Sequence, residues 1–465
     1  MAARSSSTEV LGSPGETAQM AAFAVEQYGT DVPNAVERHA RLILLDQLGL
    51  QLACSSLPWC QAVTDYVRSV GSTGPSTIVA HGIRTAPELA AFANASYGHG
   101  QDFDDTCTLV QTHPGAVIFP VALAVAEATG ADGAALMRAA VIGIEVMLRV
   151  AHAVSPGCLS RGHHTPPAVG PFGAAAAAGL LLGLDQPTMH EALGVAGSFS
   201  GGLLEYTQSG GSVKRLHTAI PATAGVRAAY LACSGITGPV RVLEGDKGFC
   251  RTFADHSEPG RLTAGLGTRY LLLEVALKAY NCCIFIHSAI EAYLSLAAEH
   301  GFEAGDVKRI EVGTSKQGTE HVGRIAEPYD ALGAQFSMHF TIASVACGHL
   351  PGLRSYGLDH LGDPMIRDVA RRVSVHEDPM CSAEYPGNFS AVVVVRTVDG
   401  TQVEQRVRET LGSPTMPMSE GQVEAKFFSN AEPVLGRKRA ALVRDLVEKV
   451  SGLSDVGELT AALQA

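Results

Sequence analysis

No two cysteines in this chain are spaced as Cys-x-x-Cys, although ten are present in 465 residues. That absence removes the zinc-ribbon and thioredoxin patterns and leaves no run to open an iron–sulfur site. The cysteines are scattered, with Cys282 and Cys283 adjacent, so they do not read as a disulfide framework. A reducing, cytoplasmic setting is the expectation. Charge is also scarce. Asp, Glu, Lys and Arg make up 17% of the chain, and the balance is −12. An acidic balance argues against nucleic acid as a partner, yet a local basic pocket can still take an anionic substrate. The most apolar run, around 173–184, is too short and too glycine-rich to span a bilayer, and the N-terminus lacks the apolar stretch of a signal peptide. No membrane partner is expected. Aromatic residues are few, at 6%, with a single tryptophan.

Small apolar residues are abundant instead. Hydrophobic residues reach 46%, and there are 50 glycines. Such a chain buries a large core, and small side chains let helices approach closely. Apolar residues recur at helical spacing over 17–28, 33–52 (with Asp31 as an N-cap), 59–70, 86–96, 114–129 and 132–154. The 132–154 helix carries Glu145 and Arg149 at i,i+4. Further helices are expected over 185–199, with Pro187 in the first turn, and over 218–234. Near residue 270 the pattern changes. A helix from His287 to Glu299 is followed by β-type runs at 307–314 and 389–398, with helices near 335–347 and 364–373 between them. From 419 to 464 the chain is helical again. The reading is mainly α: a loose tail over 1–16, a helical unit over 17–268, a smaller α+β unit over 269–411, and a return to the helical unit over 412–465.

The chemistry concentrates in four stretches. The first is Gly98-His99-Gly100-Gln101-Asp102-Phe103-Asp104-Asp105-Thr106, followed by Thr112-His113-Pro114-Gly115. Carboxylates crowded in this way repel when ionised, so at least one keeps its proton or finds a basic partner. The second, Arg161-Gly162-His163-His164-Thr165-Pro166-Pro167, puts two histidines on a loop before a buried helix. The third, Gly210-Gly211-Ser212-Val213-Lys214-Arg215-Leu216-His217, lets backbone approach an anion and adds two cations. The fourth is Lys278-Ala279-Tyr280-Asn281-Cys282-Cys283. Its cysteines are expected to be buried packing behind Lys278 rather than nucleophiles.

Taken in order, GHGQDFDDT…THPGAVIFP, RGHHTPPAVGPFGAAAAA, SGGSVKRLH, LEGDKGFCRTF, LKAYNCC…H and GAQFSMHF resemble the MmgE/PrpD family over about residues 20–435. That family contains 2-methylcitrate dehydratases, cis-aconitate decarboxylases and iminodisuccinate epimerases. The resemblance implies a large all-helical domain built from both chain ends and an α+β lid domain. It also implies a homodimer, and activity with no metal and no organic cofactor. Carried over by position, the catalytic set would be Asp102, Thr106, His113, His164, Lys214 and Lys278. Arg215, His217, Tyr280 and His339 are the further substrate-binding candidates. Phe340 stands where the family's decarboxylases carry a tyrosine.

These reactions share one problem. A proton leaves or joins a carbon beside a carboxylate, and negative charge grows on that carboxylate. The need is a base active near neutral pH and cations for the enolate-like charge. His113 and His164 suit the acid and base roles. Lys214, Arg215 and Lys278 suit carboxylate binding, with Lys214 and Lys278 forming a clamp. Asp102 suits orienting a histidine or holding a substrate hydroxyl. The implied function is a lyase of a small di- or tricarboxylate. An epimerase of a dicarboxylic acid or imine is the alternative enzyme, and a non-catalytic carboxylate-binding homologue is the alternative class.

Overall fold

The computed structural model describes residues 14–209, 211–353 and 355–465, with the backbone alone at 208, 209 and 358. Residues 1–13 of the tail expected over 1–16, and Gly210 of the glycine pair, lie outside the described residues. The chain is mainly helical. At its centre runs the helix Thr165–Leu181, every residue of which is buried. A helix apolar on all sides needs neighbours on all sides. Pro114–Thr129, Gly133–Val154 and Ala219–Cys233 supply them. Their approach depends on glycine. A Cβ on Gly173 would lie 2.4 Å from the Gly143 carbonyl oxygen, and one on Gly225 would lie 2.2 Å from the Ala174 Cβ.

Caps follow simple chemistry. The Asp132 and Asp185 carboxylates accept from the Ala135 and Thr188 amides, and Pro187 lies in the first turn that Asp185 opens. Asp31 does not cap, because the second helix begins at Asn34, after Pro33. Glu16, assigned to the tail from sequence, already belongs to the first helix, Glu16–Tyr28.

The first core joins residues between Met20 and Leu277 to residues between Val423 and Leu463. The helix Glu420–Leu435 packs against Asn34–Cys54, so the end of the chain closes over its beginning. The second core, Cys282 to Val395, covers a four-stranded sheet. Its strand order is Val373–Glu377, Val307–Thr314, Ala391–Thr397, Gln402–Val407, with the first pair parallel and the others antiparallel. Val312 sits opposite Val375 on one side and Val393 on the other. The helix Ile284–His300 packs on this sheet and starts three residues before His287, at Ile284.

Two expectations of this region need correction. The helix placed over 364–373 stops at Ala370, and Val373 opens a strand. The helix placed over 335–347 is two helices, Ala331–Gln335 and Met338–Ala346, divided where the Ser337 hydroxyl accepts from the Phe340 amide and caps the second. A side-chain cap of that kind competes with a continuous helix.

One buried ion pair ties the segment approaching Lys278 to the helical core. Glu145 and Arg149 meet at 2.9 Å, each about 1% exposed. Arg149 also donates to the Ala264 and Arg269 carbonyls at 2.9 and 2.7 Å, while Glu145 accepts from the Leu271 and Leu272 amides at 3.1 and 3.2 Å. Arg149→Met strands a buried carboxylate. It is expected to lower stability by about 3–5 kcal/mol, read as a fall in Tm.

Candidate active site

The helix Pro87–Gly98 ends where the first motif begins. The motif then folds back, and Thr106–Cys107 pairs antiparallel with Val275–Ala276, with Thr106 opposite Ala276. That two-residue ladder sets Lys278 beside Asp102. His113 and His164 each immediately precede a helix, Pro114–Thr129 and Thr165–Leu181. Lys214 lies in the 3-10 turn Ser212–Leu216, which follows Gly211 at a φ of +107°. Four stretches far apart in sequence therefore converge. Asp102, Thr106, His113, His164, Lys214 and Lys278 all line one cavity.

Asp102 lies between the two lysines. Lys214 Nζ donates to its Oδ1 at 2.7 Å, and Lys278 Nζ to its Oδ2 at 3.0 Å and to its carbonyl at 3.1 Å. The sequence assigned Asp102 to a histidine or a substrate hydroxyl, but here its side chain holds both ammoniums together. Burial opposes ionisation of Asp102, yet the two lysines overcome it and hold the carboxyl well below the usual range. Burial also pulls Lys278 down, but Asp102 and Asp104 outweigh it and leave Lys278 raised. For Lys214 burial wins over Asp102, and its pKa is lowered.

Two residues of the first motif that the sequence did not single out as site candidates, His99 and Asp104, complete the arrangement. Lys214 Nζ lies 3.3 Å from His99 Nε2, and a lysine can only donate, so His99 carries its proton on Nδ1. That Nδ1 meets Asp104 Oδ2 at 2.8 Å. His113 Nδ1 lies 2.8 Å from the Asp105 carbonyl oxygen and 3.4 Å from Asp104 Oδ2. Both are acceptors, so the His113 proton sits on Nδ1 and Nε2 keeps a free lone pair. Burial, only partly offset by Asp104, pushes His113 down to about 3. Beyond it, His164 Nδ1 and His217 Nδ1 lie 2.8 Å apart, so one ring donates and the other accepts. The edge of Tyr206 closes on both, at centroid distances of 5.5 and 5.4 Å.

The remaining candidates lie elsewhere. Among the described residues, Arg215, His217, Tyr280 and His339 do not line the cavity. Arg215 stacks 4.8 Å over Trp59 and donates to Gln335 at 3.1 Å; His217 acts through His164. Tyr280 packs edge-on to His287. Phe340 is buried in the second core, its ring 6.3 Å from that of Tyr356. Cys283 does line the cavity, but burial raises its thiol to about 11, so it is no nucleophile near neutral pH.

A second layer supports the motif. Lys426, from the helix Glu420–Leu435, reaches Asp46 at 2.8 Å, the Phe103 carbonyl at 2.8 Å and the Lys278 carbonyl at 2.9 Å. Asp105 accepts from Gln47 at 2.8 Å and from the Gly115 amide at 2.7 Å. Any Cβ at Gly115 would lie 2.4 Å from the Asp105 Oδ1. Periodicity carries a signal for Lys426, which shares the buried stripe of Val423, Phe427 and Asn430.

His99, Asp104 and His113 offer ligand atoms within 4.8 Å of one another, a spacing a metal ion could use. A dication there would meet the Lys214 ammonium at His99 Nε2, and both Nδ1 atoms face acceptors as donors, so the donor set fits poorly.

A mainly helical fold that brings lysines, an ionised aspartate and neutral histidines to one cavity defines a candidate acid–base site for an anionic substrate. The chain belongs to the MmgE/PrpD family: the models of its N-terminal and C-terminal domains match residues 18–262 and 280–451. Relatives include a cis-aconitate decarboxylase of Aspergillus terreus, 26% identical over 96% of this chain and 95% of its own length. Cis-aconitate decarboxylases of Mus musculus and Homo sapiens are 27% and 28% identical, over 93% and 95% of this chain and 90% and 94% of theirs. Among the described residues, no helix is long and apolar enough to cross a membrane.

Asp105 yields a test of the supporting layer. Burial, reinforced by Asp104, raises its carboxyl to about 7. Unfolded, it ionises near 3.8. Between those values the folded chain holds the extra proton, so this group's contribution to stability declines as pH rises. Relative to Asp105→Asn, the native protein is expected to lose Tm progressively from about pH 4 to pH 7. Parallel Tm–pH curves would refute the assignment.

Proposed function

We propose that this protein is a lyase acting on a small di- or tricarboxylate, by dehydration or decarboxylation, with no metal or organic cofactor. The observation that carries the reading is the free Nε2 of His113 in the same cavity as the paired Lys214 and Lys278. In dehydration, His113 takes the proton from the carbon beside a carboxylate. The electron pair moves into that carboxylate, and the hydroxyl leaves as water with a proton from the Lys214 ammonium, forming the alkene. In decarboxylation, CO2 departs, its bonding electrons form the enolate-like anion, and the Lys214 ammonium, whose pKa is lowered by burial, gives a proton to carbon. In both, negative charge gathers where the lysines donate. Fixed donors in a water-poor cavity stabilise such charge far better than mobile water does. Closure of the 269–411 unit over the helical unit would exclude water.

Epimerisation is the second reading. His113 and His164, with ring centroids 6.3 Å apart on one cavity, supply a proton acceptor and a proton donor without a leaving group. Incubating citrate-like, aconitate-like and aspartate-derived acids in deuterated water, followed by proton NMR, separates the reactions. Alkene signals mark dehydration, CO2 loss marks decarboxylation, and deuterium uptake with inversion marks epimerisation.

Lys214→Met and Lys278→Met are each expected to lower kcat/KM at least about a hundredfold, or ~2.7 kcal/mol of transition-state stabilisation. Each leaves Asp102 with one partner, so a fall in Tm accompanies the loss. A base lowered to about 3 stays unprotonated in mild acid. The acid limb of kcat/KM should therefore lie well below the ordinary histidine value of about 6.5. An acid limb at that ordinary value would assign the base elsewhere.

A further inference from the structure

An ammonium has three N–H donors, and the way two of them are spent decides where the third points. Lys278 gives two to a single residue, the Oδ2 and the carbonyl of Asp102. Lys214 reaches only the Oδ1 of Asp102, at 2.7 Å. Its second acceptor comes from another side chain: His99 Nε2 lies 3.3 Å from Lys214 Nζ. Among the described residues no third acceptor meets either ammonium, so each keeps one N–H for the cavity that both lysines line.

His99 can hold its place in only one tautomer. Its Nδ1 donates to Asp104 Oδ2 at 2.8 Å, which leaves Nε2 as a lone-pair acceptor for Lys214. His99 and Asp104 are both fully buried, so bulk water does not compete for either nitrogen. The same Oδ2 lies 3.4 Å from His113 Nδ1, and the centroids of the two imidazoles are 4.9 Å apart. One carboxylate oxygen thus faces both the base and the residue that holds the acid.

We propose that His99 is a positioning residue for proton donation by Lys214. Held by Asp104, it supplies the second acceptor that stops the ammonium turning about its Cε–Nζ bond and keeps one N–H aimed into the cavity. Among the described residues that line the cavity His99 is absent, so it acts through Lys214 and not on the substrate. The inference rests on the lyase reading, in which Lys214 gives its proton to the leaving hydroxyl or to carbon, and adds what orients that proton. Asp102 alone keeps Lys214 in the cavity as a charge, so binding of a carboxylate does not depend on His99. The direction of proton transfer does.

The test compares His99→Leu with His99→Gln, assayed with whichever acid of the citrate-, aconitate- and aspartate-derived panel the native protein turns over. Leucine fills the space and accepts nothing. Glutamine can accept from Lys214 through its carboxamide oxygen and donate to Asp104 through its nitrogen. His99→Leu is expected to lower kcat about ten- to a hundredfold while KM stays within about twofold. His99→Gln is expected to recover most of that loss. A second measurement needs no turnover and decides the matter if His99→Leu does not fold. In the native protein labelled with 15N-histidine, His99 is assigned by the signals missing from His99→Gln. It is expected as the Nδ1-protonated tautomer, with an Nε2 resonance that moves in Lys214→Met. An Nε2-protonated His99 overturns the inference and leaves the lyase reading standing. So does a native kcat in His99→Leu, a rise in KM with kcat held, or a loss that glutamine does not recover. Native protein that turns over none of the acids overturns the lyase reading, and the role of His99 in proton donation falls with it.

Discussion

Everything at the candidate site depends on one carboxylate held between two ammoniums. Asp102, Lys214 and Lys278 are 2–3% exposed, and burying three charges is unfavourable unless each is satisfied. Here each is, and the consequence is topological. The loop after Pro87–Gly98, the turn Ser212–Leu216 and the segment after Val275–Ala276 must meet at one point, because each brings a charge that cannot be buried alone. The trio keeps a net positive charge, which suits a site for anions. It also places Lys214 against His99, and through Asp104 this connects the cationic end to His113.

The supporting layer has the same logic, one shell further from the cavity. Lys426 neutralises Asp46 and spends its other donors on the carbonyls of Phe103 and Lys278. Those two carbonyls flank the residues that meet at the trio. Asp105, beside Asp104, avoids the repulsion of its neighbours by holding a proton and accepting from Gln47 and Gly115. The three carboxyls of this motif are thus satisfied by different partners. Asp102 has cations, Asp104 has histidines, and Asp105 has neutral donors.

Much of this was legible in the sequence, and the parts that were not have physical causes. The helices of the central layer were readable because their apolar runs are long and end at glycine, proline or an aspartate cap. The crowding of Asp102, Asp104 and Asp105 announced that at least one would keep its proton or find a basic partner. The strand Gln402–Val407 was not readable: it has one neighbour and a mixed burial pattern with no buried face. Val373–Glu377 was hidden because it directly follows a helix and is short. Arg215 and His339 illustrate a deeper limit. Both are polar residues in motifs that carry chemistry, yet one stacks on Trp59 and the other pins the backbone of Ile325. Residue type and spacing alone do not distinguish a side chain that faces the cavity from one that faces away.

The pairing of Asp46 with Lys426 spans 380 residues. During synthesis the ribosome delivers the first partner long before the second. Until the helix Glu420–Leu435 emerges, the fully buried Asp46 has no ammonium, and the carbonyls of Phe103 and Lys278 have lost their shared donor. A chain ending before residue 420 would lack both the ammonium that pairs with Asp46 and the donor shared by the Phe103 and Lys278 carbonyls, so the segments that carry the candidate site would lose their common tie.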